Sequence, residues 1–464
     1  MSRIVVIGGV AAGMSAASQA KRRQPEADVV VLERGPYVSY GACGMPYNIE
    51  DPARTMDDLV VLTPADVRER GIDLRLRHRA SGVDSKRRVV AAQDLEGGAT
   101  VELDYDALVL ATGAAPVQPP IPGLGQPGVF VLRELTDGQA LKQYLAEAQP
   151  ARAVIVGAGY IGMEMAEALR GRGLAVTVVE RIDQVTPGFD PAIAALVADA
   201  LGRHGVSVET GVTVQAVEKV EGDGLAVRTD RGSIPTDLVL VAVGVRPRVE
   251  LARSAGVALG ETGAIAVDDG MRTNVPAVFA AGDCAEAWHI VSGRPAWIPL
   301  GTTANKQGKV AGANAAGGTE CFAGIAGTAG FKVFDLEVAR TGLTSTEAAG
   351  LGIDVVTAIS RQRSRAHGYP GANPITTTLA AERGTGRLIG AQMAGVGVVA
   401  KRIDVFATAL AAGFTVEALE ALDLSYAPPF APVFDPVLIA ATVARKRLEA
   451  AARKDAAAAG RVGR

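Results

Sequence analysis

The chain has 464 residues, too many for one ordinary core; at about 100 to 200 residues per domain it predicts roughly three domains. Its 47 Lys and Arg stand against 50 Asp and Glu, and a net charge of -3 supplies no field that would gather a polyanion, which speaks against nucleic acid as a partner. Apolar residues reach 48%, but no uninterrupted run approaches the ~18 needed for a membrane span, and the absence of a charged-then-apolar leader after Met1 predicts a cytoplasmic protein.

The chain opens with a buried strand, "IVVIGG" at 4–9, a small-residue helix from Ala11 to about Arg22, and a second strand, "DVVVLER" at 28–34. This order is a βαβ unit. Its turn carries Gly8, Gly9 and Gly13, with Val10 where a nucleotide loop usually has its middle glycine, and Glu33 ends the second strand. Directly afterwards, "VSYGACGMPYNI" at 38–49 predicts Cys43 at a turn entering a helix, with Gly44 giving clearance and Pro46 suited to the first helical turn. Partial positive charge at a helix start favours thiolate, so Cys43 is expected to have a lowered pKa and to be redox-active. A buried strand then ends at Thr112-Gly113, and a proline-rich crossover at 116–122 marks a domain boundary.

The βαβ order returns at 153–181, so two nucleotide ligands are expected. Here Gly157, Gly159 and Gly162 form a complete G-x-G-x-x-G between strand and helix, and Glu180 ends the next strand, where its carboxylate can accept from adenosine ribose hydroxyls. That carboxylate repels a 2′-phosphate and favours NADH, while Arg181 beside it leaves NADPH possible. Strands ending near Gly244 and at Gly282-Asp283 follow; the latter turn could receive a flavin's ribityl chain and phosphate, and a helix is predicted near 303–316. From about Gly324 the pattern becomes α+β, with helices near 399–412 and 436–452 and a tail after Arg453 expected to fray.

Cys284 and Cys321 have no evident partner and are read as structural, and the three cysteines make no disulfide framework. His78, His204, His289 and His367 share no ligand spacing, so no metal is predicted and they are read as surface or hydrogen-bonded residues; Met163 and Met165 are read as core.

Taken together, "VIGGVAAGMSAASQAKRR", "SYGACGMPY", "GAGYIGMEMAEAL", "TNVPAVFAAGD" and "LDLSYAPPFAPVFDP" resemble the single-cysteine branch of the pyridine nucleotide-disulfide oxidoreductases, over about residues 1–445. Within it the likeness is greatest to coenzyme A-disulfide reductases and NADH oxidases. The resemblance implies an α/β fold with two Rossmann-like domains, for FAD (1–118 and 249–323) and for NAD(P) (119–248). A C-terminal α+β dimerisation domain (324–447) and a tail (448–464) would follow. It implies cofactor contacts at Gly8, Gly9, Ala12, Gly13, Glu33, Arg34, Val83, Thr112, Gly113, Gly157, Gly159, Tyr160, Ile161, Gly162, Glu180, Gly244, Gly282, Asp283 and Ala304.

The same resemblance implies that Cys43 holds a mixed disulfide with coenzyme A, that Ser15, Gln19, Arg22, Ser39 and Asn305 contact substrate, and that Tyr426 and Tyr369 reach the active site from the partner in a homodimer. The implied reaction is flavin-dependent reduction of coenzyme A disulfide by NADH or NADPH. An NADH oxidase, a polysulfide or coenzyme A-persulfide reductase and an NADH-sensing flavoprotein are the alternatives. The chain departs from the family pattern at Ala42, where some members have Asn, at Asn305, where His is expected, and at Phe434, where a Lys can bind coenzyme A. It has no C-x-x-x-x-C dithiol, and Ala11 stands where peroxidases carry a loop histidine.

Overall fold

The computed structural model describes residues 2–220 and 224–462. Its first sheet is fully parallel, running from edge to edge as Val278–Ala280, Ala107–Leu110, Arg3–Ile7, Asp28–Leu32 and Ile72–Arg75. Ile4, Val5 and Val6 are all fully buried. A strand covered on both faces has no polar side to show, which is why "IVVI" does not alternate. The helix Ala11–Arg23 covers one face and packs on the later helix Gly301–Ala315. They meet through Gly308 and Gly312, where any side chain would overlap the carbonyls of Ala12 and Ala16. The late strand Val278–Ala280 and this late helix therefore return to the first unit.

The second sheet repeats the plan, in the order Ser207–Glu209, Ala175–Val179, Arg152–Val156, Leu238–Val241 and Val129–Phe130, again parallel. Each unit also carries three antiparallel strands, His78–Asp84, Val89–Asp94 and Thr100–Asp104 in the first and Val214–Lys219, Leu225–Thr229 and Gly232–Thr236 in the second. The duplication thus extends beyond the βαβ core. The chain crosses between units on one antiparallel strand pair, Ala114–Pro116 with Val245–Pro247.

The C-terminal part is a five-stranded antiparallel sheet packed by the helices Val399–Ala411 and Pro436–Val462. It is tied to the second unit by polar bonds: Asp190 N–H to Gln392 Oε1 at 2.7 Å, Arg340 to the Gly188 carbonyl, and Lys332 to Glu167. His204 also stacks flat on Phe334 at 4.0 Å. The last helix continues through the segment expected to fray and ends at Val462. Lack of amphipathic period argued for a loose tail, but alanine is the best helix former and "AAARKDAAAA" extends a helix already nucleated by packing.

Candidate active site

The two nucleotide loops superimpose residue for residue in their bonding. Gly8 and Gly157 both adopt positive φ, 111° and 105°, and a side chain at Gly13 or Gly162 would overlap the carbonyl oxygen of Gly8 or Gly157. The loop acids correspond as well. Glu33 accepts from the N–H groups of Gly9 and Gly35, both at 2.7 Å, and Glu180 accepts from Ala158 and Ile182 at 2.8 and 3.1 Å. Burial pushes the Glu33 carboxyl up from its ordinary value, partly offset by those two N–H donors. Val10 replaces the middle glycine at the helix start with no change of the turn around it, whereas Gly159 faces open space.

The helices that follow these loops begin without side-chain caps and without acidic residues in their first turns. The Gly301–Ala315 helix begins the same way. Elsewhere, Thr63, Glu134 and Thr344 head capping boxes. Gly282 (φ 81°) brings its backbone against Ala12 and Ala304, and its N–H donates to Gln307 Oε1 at 2.9 Å. Asp283 pairs with Arg133 at 2.7 Å, and Glu134 next to it takes Arg34 and Arg248, the latter at 3.0 Å. Thr112 donates to the Arg248 carbonyl at 2.7 Å, beside Gly113 with φ 69°. Gly244 has φ 105° and its carbonyl accepts from Val117, while Val83 is buried in the apolar core of the first unit.

Cys43 lies in a 3-10 turn, Ala42–Gly44, leading into the short helix Met45–Glu50 with Pro46 in its first turn. It is exposed, whereas Cys284 is fully buried with its sulfur against the carbonyls of Leu110 and Ala281. The thiol differs from expectation in one respect. Its pKa is pushed up, first by the protein mass that displaces water around it and then by the Glu164 carboxylate, with Arg133 pulling the other way. Six helical residues give a small dipole, and burial outweighs it.

Glu164 projects from the Tyr160–Gly171 helix of the second unit, and Tyr47 of the Cys43 helix donates to it at 3.4 Å. Burial raises Glu164 to about 7, and the same burial raises Tyr47 to about 12. Lys332, from the C-terminal sheet, sits 5.7 Å over the Tyr47 ring and pairs with Glu167 one turn along. Three parts of the chain therefore meet at Tyr47, on the helix into which the Cys43 turn leads. Sequence reading missed this group, although two acids three residues apart, Glu164 and Glu167, between the apolar residues of one helix were a visible signal.

Of the substrate contacts implied by resemblance, Ser15 and Asn305 come together, Ser15 Oγ donating to Asn305 Oδ1 at 2.7 Å across the two packed helices. Gln19 and Arg22 join one turn along the same helix, at 2.9 Å. Ser39 stands at φ 50° with its N–H on the Gly9 carbonyl, linking the first glycine loop to the Cys43 segment. Tyr160 edges onto Phe331 at 5.3 Å, and Ile161 packs on the core. Tyr369 and Tyr426 lie instead on the C-terminal part, 37% and 49% exposed, near Phe430 and Phe434 at 71% and 66%. His289 is buried and hydrogen-bonded, as expected, its Nδ1 accepting from Ser292 N–H at 3.2 Å, while Nε2 has no partner among the described residues.

The model of the pyridine nucleotide-disulphide oxidoreductases matches residues 2–308, and that of their dimerisation domain matches 328–437. The chain belongs to this family. It is 41% identical to the NAD(P)H coenzyme A polysulfide/persulfide reductase of Pyrococcus horikoshii, over 95% of this chain and 98% of that one. It is 28% identical to the coenzyme A disulfide reductase of Staphylococcus haemolyticus, over 93% and 96%. Among solved structures, the NAD-dependent persulfide reductase of A. fulgidus superimposes with a TM-score of 0.93 at 41% identity, covering 97% of this chain and 84% of that one.

As a family member the chain is an FAD- and NAD(P)H-dependent oxidoreductase with a dimerisation domain. The residues present fit both cofactors. Two uncapped helix starts behind glycine turns offer free N–H groups to a pyrophosphate, and the acid of each loop stands where ribose hydroxyls would replace its N–H partners. No helix is long and apolar enough to cross a membrane among the described residues.

Proposed function

We propose that this chain reduces a sulfur–sulfur bond borne by coenzyme A, with Cys43 as its single redox-active residue and NADH as the favoured donor. The carrying observation is Cys43 itself: it is exposed and leads into the helix on which the first unit, the second unit and the C-terminal sheet meet at Tyr47, while Cys284 is sealed in the core and Cys321, also exposed, lies instead beside Asp268 and Asp269. Bound FAD supplies the two-electron relay between the nicotinamide and this sulfur. Gly9, Gly13, Glu33, Asp283 and their neighbours would hold it, and Gly157, Gly159, Gly162 and Glu180 would hold the dinucleotide.

Cys43 thiolate attacks the coenzyme A sulfur of the substrate, forming a Cys43–coenzyme A mixed disulfide and expelling the second sulfur as a thiolate or hydrosulfide. Two electrons from NAD(P)H then break the mixed disulfide, returning Cys43 thiolate and releasing coenzyme A. One cysteine suffices because the substrate provides the other sulfur. Ser15, Asn305, Gln19, Arg22 and Ser39 form the substrate face, and the phenols of Tyr426 and Tyr369, reaching over from a second copy, protonate the departing sulfur. The apolar exposure around Phe430 and Phe434 supports such a homodimer.

A coenzyme A persulfide or polysulfide, whose outer sulfur leaves as hydrosulfide or a shorter polysulfide, is favoured as substrate, because the likeness to a reductase of that name is 41% against 28% for the disulfide reductase. Coenzyme A disulfide passes through the same mixed disulfide and is the second reading. A Cys43→Ser variant should stay yellow and still accept electrons from NADH, yet lose turnover with both coenzyme A persulfide and coenzyme A disulfide. Full retained turnover with either would overturn the assignment.

A further inference from the structure

Tyr369 and Tyr426 sit on different loops, 57 residues apart in sequence, and each phenol is exposed. Among the described residues, the loop backbones share one direct hydrogen bond, Ala366 N–H to the Pro428 carbonyl at 3.3 Å. Such a bond is too long to fix two phenols relative to each other. The structure supplies a stronger tie behind them. Arg402, on the Val399–Ala411 helix and 6% exposed, donates through Nη2 to the Ser364 carbonyl at 2.9 Å and to the Phe430 carbonyl at 3.0 Å. The first carbonyl begins the Tyr369 loop and the second belongs to the Tyr426 loop.

Its Nε donates to Asp435 at 2.9 Å, and Asp435 in turn accepts from Val437 N–H at the start of the last helix. The helix bearing Arg402 is itself anchored, because Glu337 accepts from three successive N–H groups, those of Val398, Val399 and Ala400. Nη1 is buried without a partner among the described residues, and the guanidinium holds its pose through the two carbonyls and one carboxylate. A lysine has one donor nitrogen, so it could keep the ion pair or bond the carbonyls, but not hold Asp435 from one nitrogen and both carbonyls from another as Nε and Nη2 do in the planar fork.

We propose that Arg402 is a positioning residue that locks the Tyr369 and Tyr426 loops into one rigid unit, so that both phenols arrive together at the partner's Cys43. The proposal rests on the assignment of those tyrosines to the partner's active site. Arg402 touches neither substrate nor cofactor in this account; it acts through the loops.

The test compares Arg402→Lys with the Tyr369→Phe/Tyr426→Phe double variant and with all three changes combined, each as FAD-loaded dimer. The anaerobic rate of flavin reduction by NADH is read separately from the rate of reoxidation by coenzyme A persulfide. Arg402→Lys should leave the first rate and the dimer mass unchanged and slow the second by roughly ten- to a hundredfold, the scale of a misplaced catalytic group. Added to the tyrosine variant it should cost nothing further, because residues acting as one unit are not additive.

If the tyrosine variant keeps the full reoxidation rate, the tyrosine assignment fails and the Arg402 proposal with it. If the tyrosine variant is slow but Arg402→Lys is not, or if Arg402→Lys slows both rates alike or multiplies with the tyrosine effect, the proposal alone is overturned. Should Arg402→Lys not fold, Arg402→Gln/Asp435→Asn removes both buried charges together and is judged by the same readings.

Discussion

The two nucleotide-binding units are built to one pattern, yet they are closed differently. In the first, the helix after the glycine loop is sealed by small residues, Ala12 and Ala16 against Gly308 and Gly312, so backbone meets backbone. In the second, the corresponding helix carries Glu164 and Glu167 into a junction with Tyr47 and Lys332. The same fold serves once as a tight cradle and once as a platform for charge beside a thiol. The difference lies in what packs on the helix after the glycine loop: the returning helix Gly301–Ala315 in the first unit, the Met45–Glu50 helix and the C-terminal sheet in the second.

The comparison breaks most visibly at the cradle. Gly13→Val would drive a branched side chain into the Gly8 carbonyl and should yield protein without flavin, read from its visible absorbance. Gly162→Val meets the same obstacle at Gly157, but in the second unit, and should abolish saturation by NADH while the protein stays yellow. If both variants lost flavin equally, the division of labour between the units would be wrong.

A smaller effect is expected from the loop acid. Glu180→Ala removes the group that accepts from Ala158 and Ile182 and stands where a ribose would bind, so KM for NADH should rise roughly tenfold, on the scale of one lost charged hydrogen bond, with little change for NADPH. An equal rise for both nucleotides would remove Glu180 as the selecting residue.

The subtlest effect belongs to the platform. With Glu164 raised by burial to about 7 from an ordinary 4.5, the folded state binds the extra proton between those values. Its contribution to stability is therefore present below about pH 4.5 and is lost as pH rises through 7. Glu164→Gln should not show that loss in thermal denaturation. It should also move the alkylation profile of Cys43 to lower pH, because the charge that helps hold the thiol up is gone. An unchanged profile would detach Glu164 from Cys43.

What could be read from the sequence was what is local. The glycine spacings, the strand-end acids Glu33 and Glu180, and the turn at Cys43 each lie within one short segment, and the structure has them where the spacing put them. Features assembled from distant segments were not legible. Tyr47, Glu164 and Lys332 come from three parts of the chain, and Arg402 reads in sequence as an ordinary polar helix residue until its burial beside Asp435 is seen. Breaking that buried pair one-sidedly would cost about 3–5 kcal/mol, a weight no local pattern announces. The Cys43 thiol was misjudged for the same reason: the helix start is local, but the burial and the Glu164 charge that outweigh it are not.

The central claim is that one cysteine and coenzyme A share a mixed disulfide. It is tested most directly by trapping that species: Cys43 alkylated or not, the protein mixed anaerobically with coenzyme A persulfide, and the intact mass of each subunit recorded before and after NADH. The account predicts about one coenzyme A on Cys43, absent from the alkylated sample and released as free thiol by NADH. A Cys43 that carries only oxygen, or substrate consumed at the full rate by the alkylated protein, would contradict it.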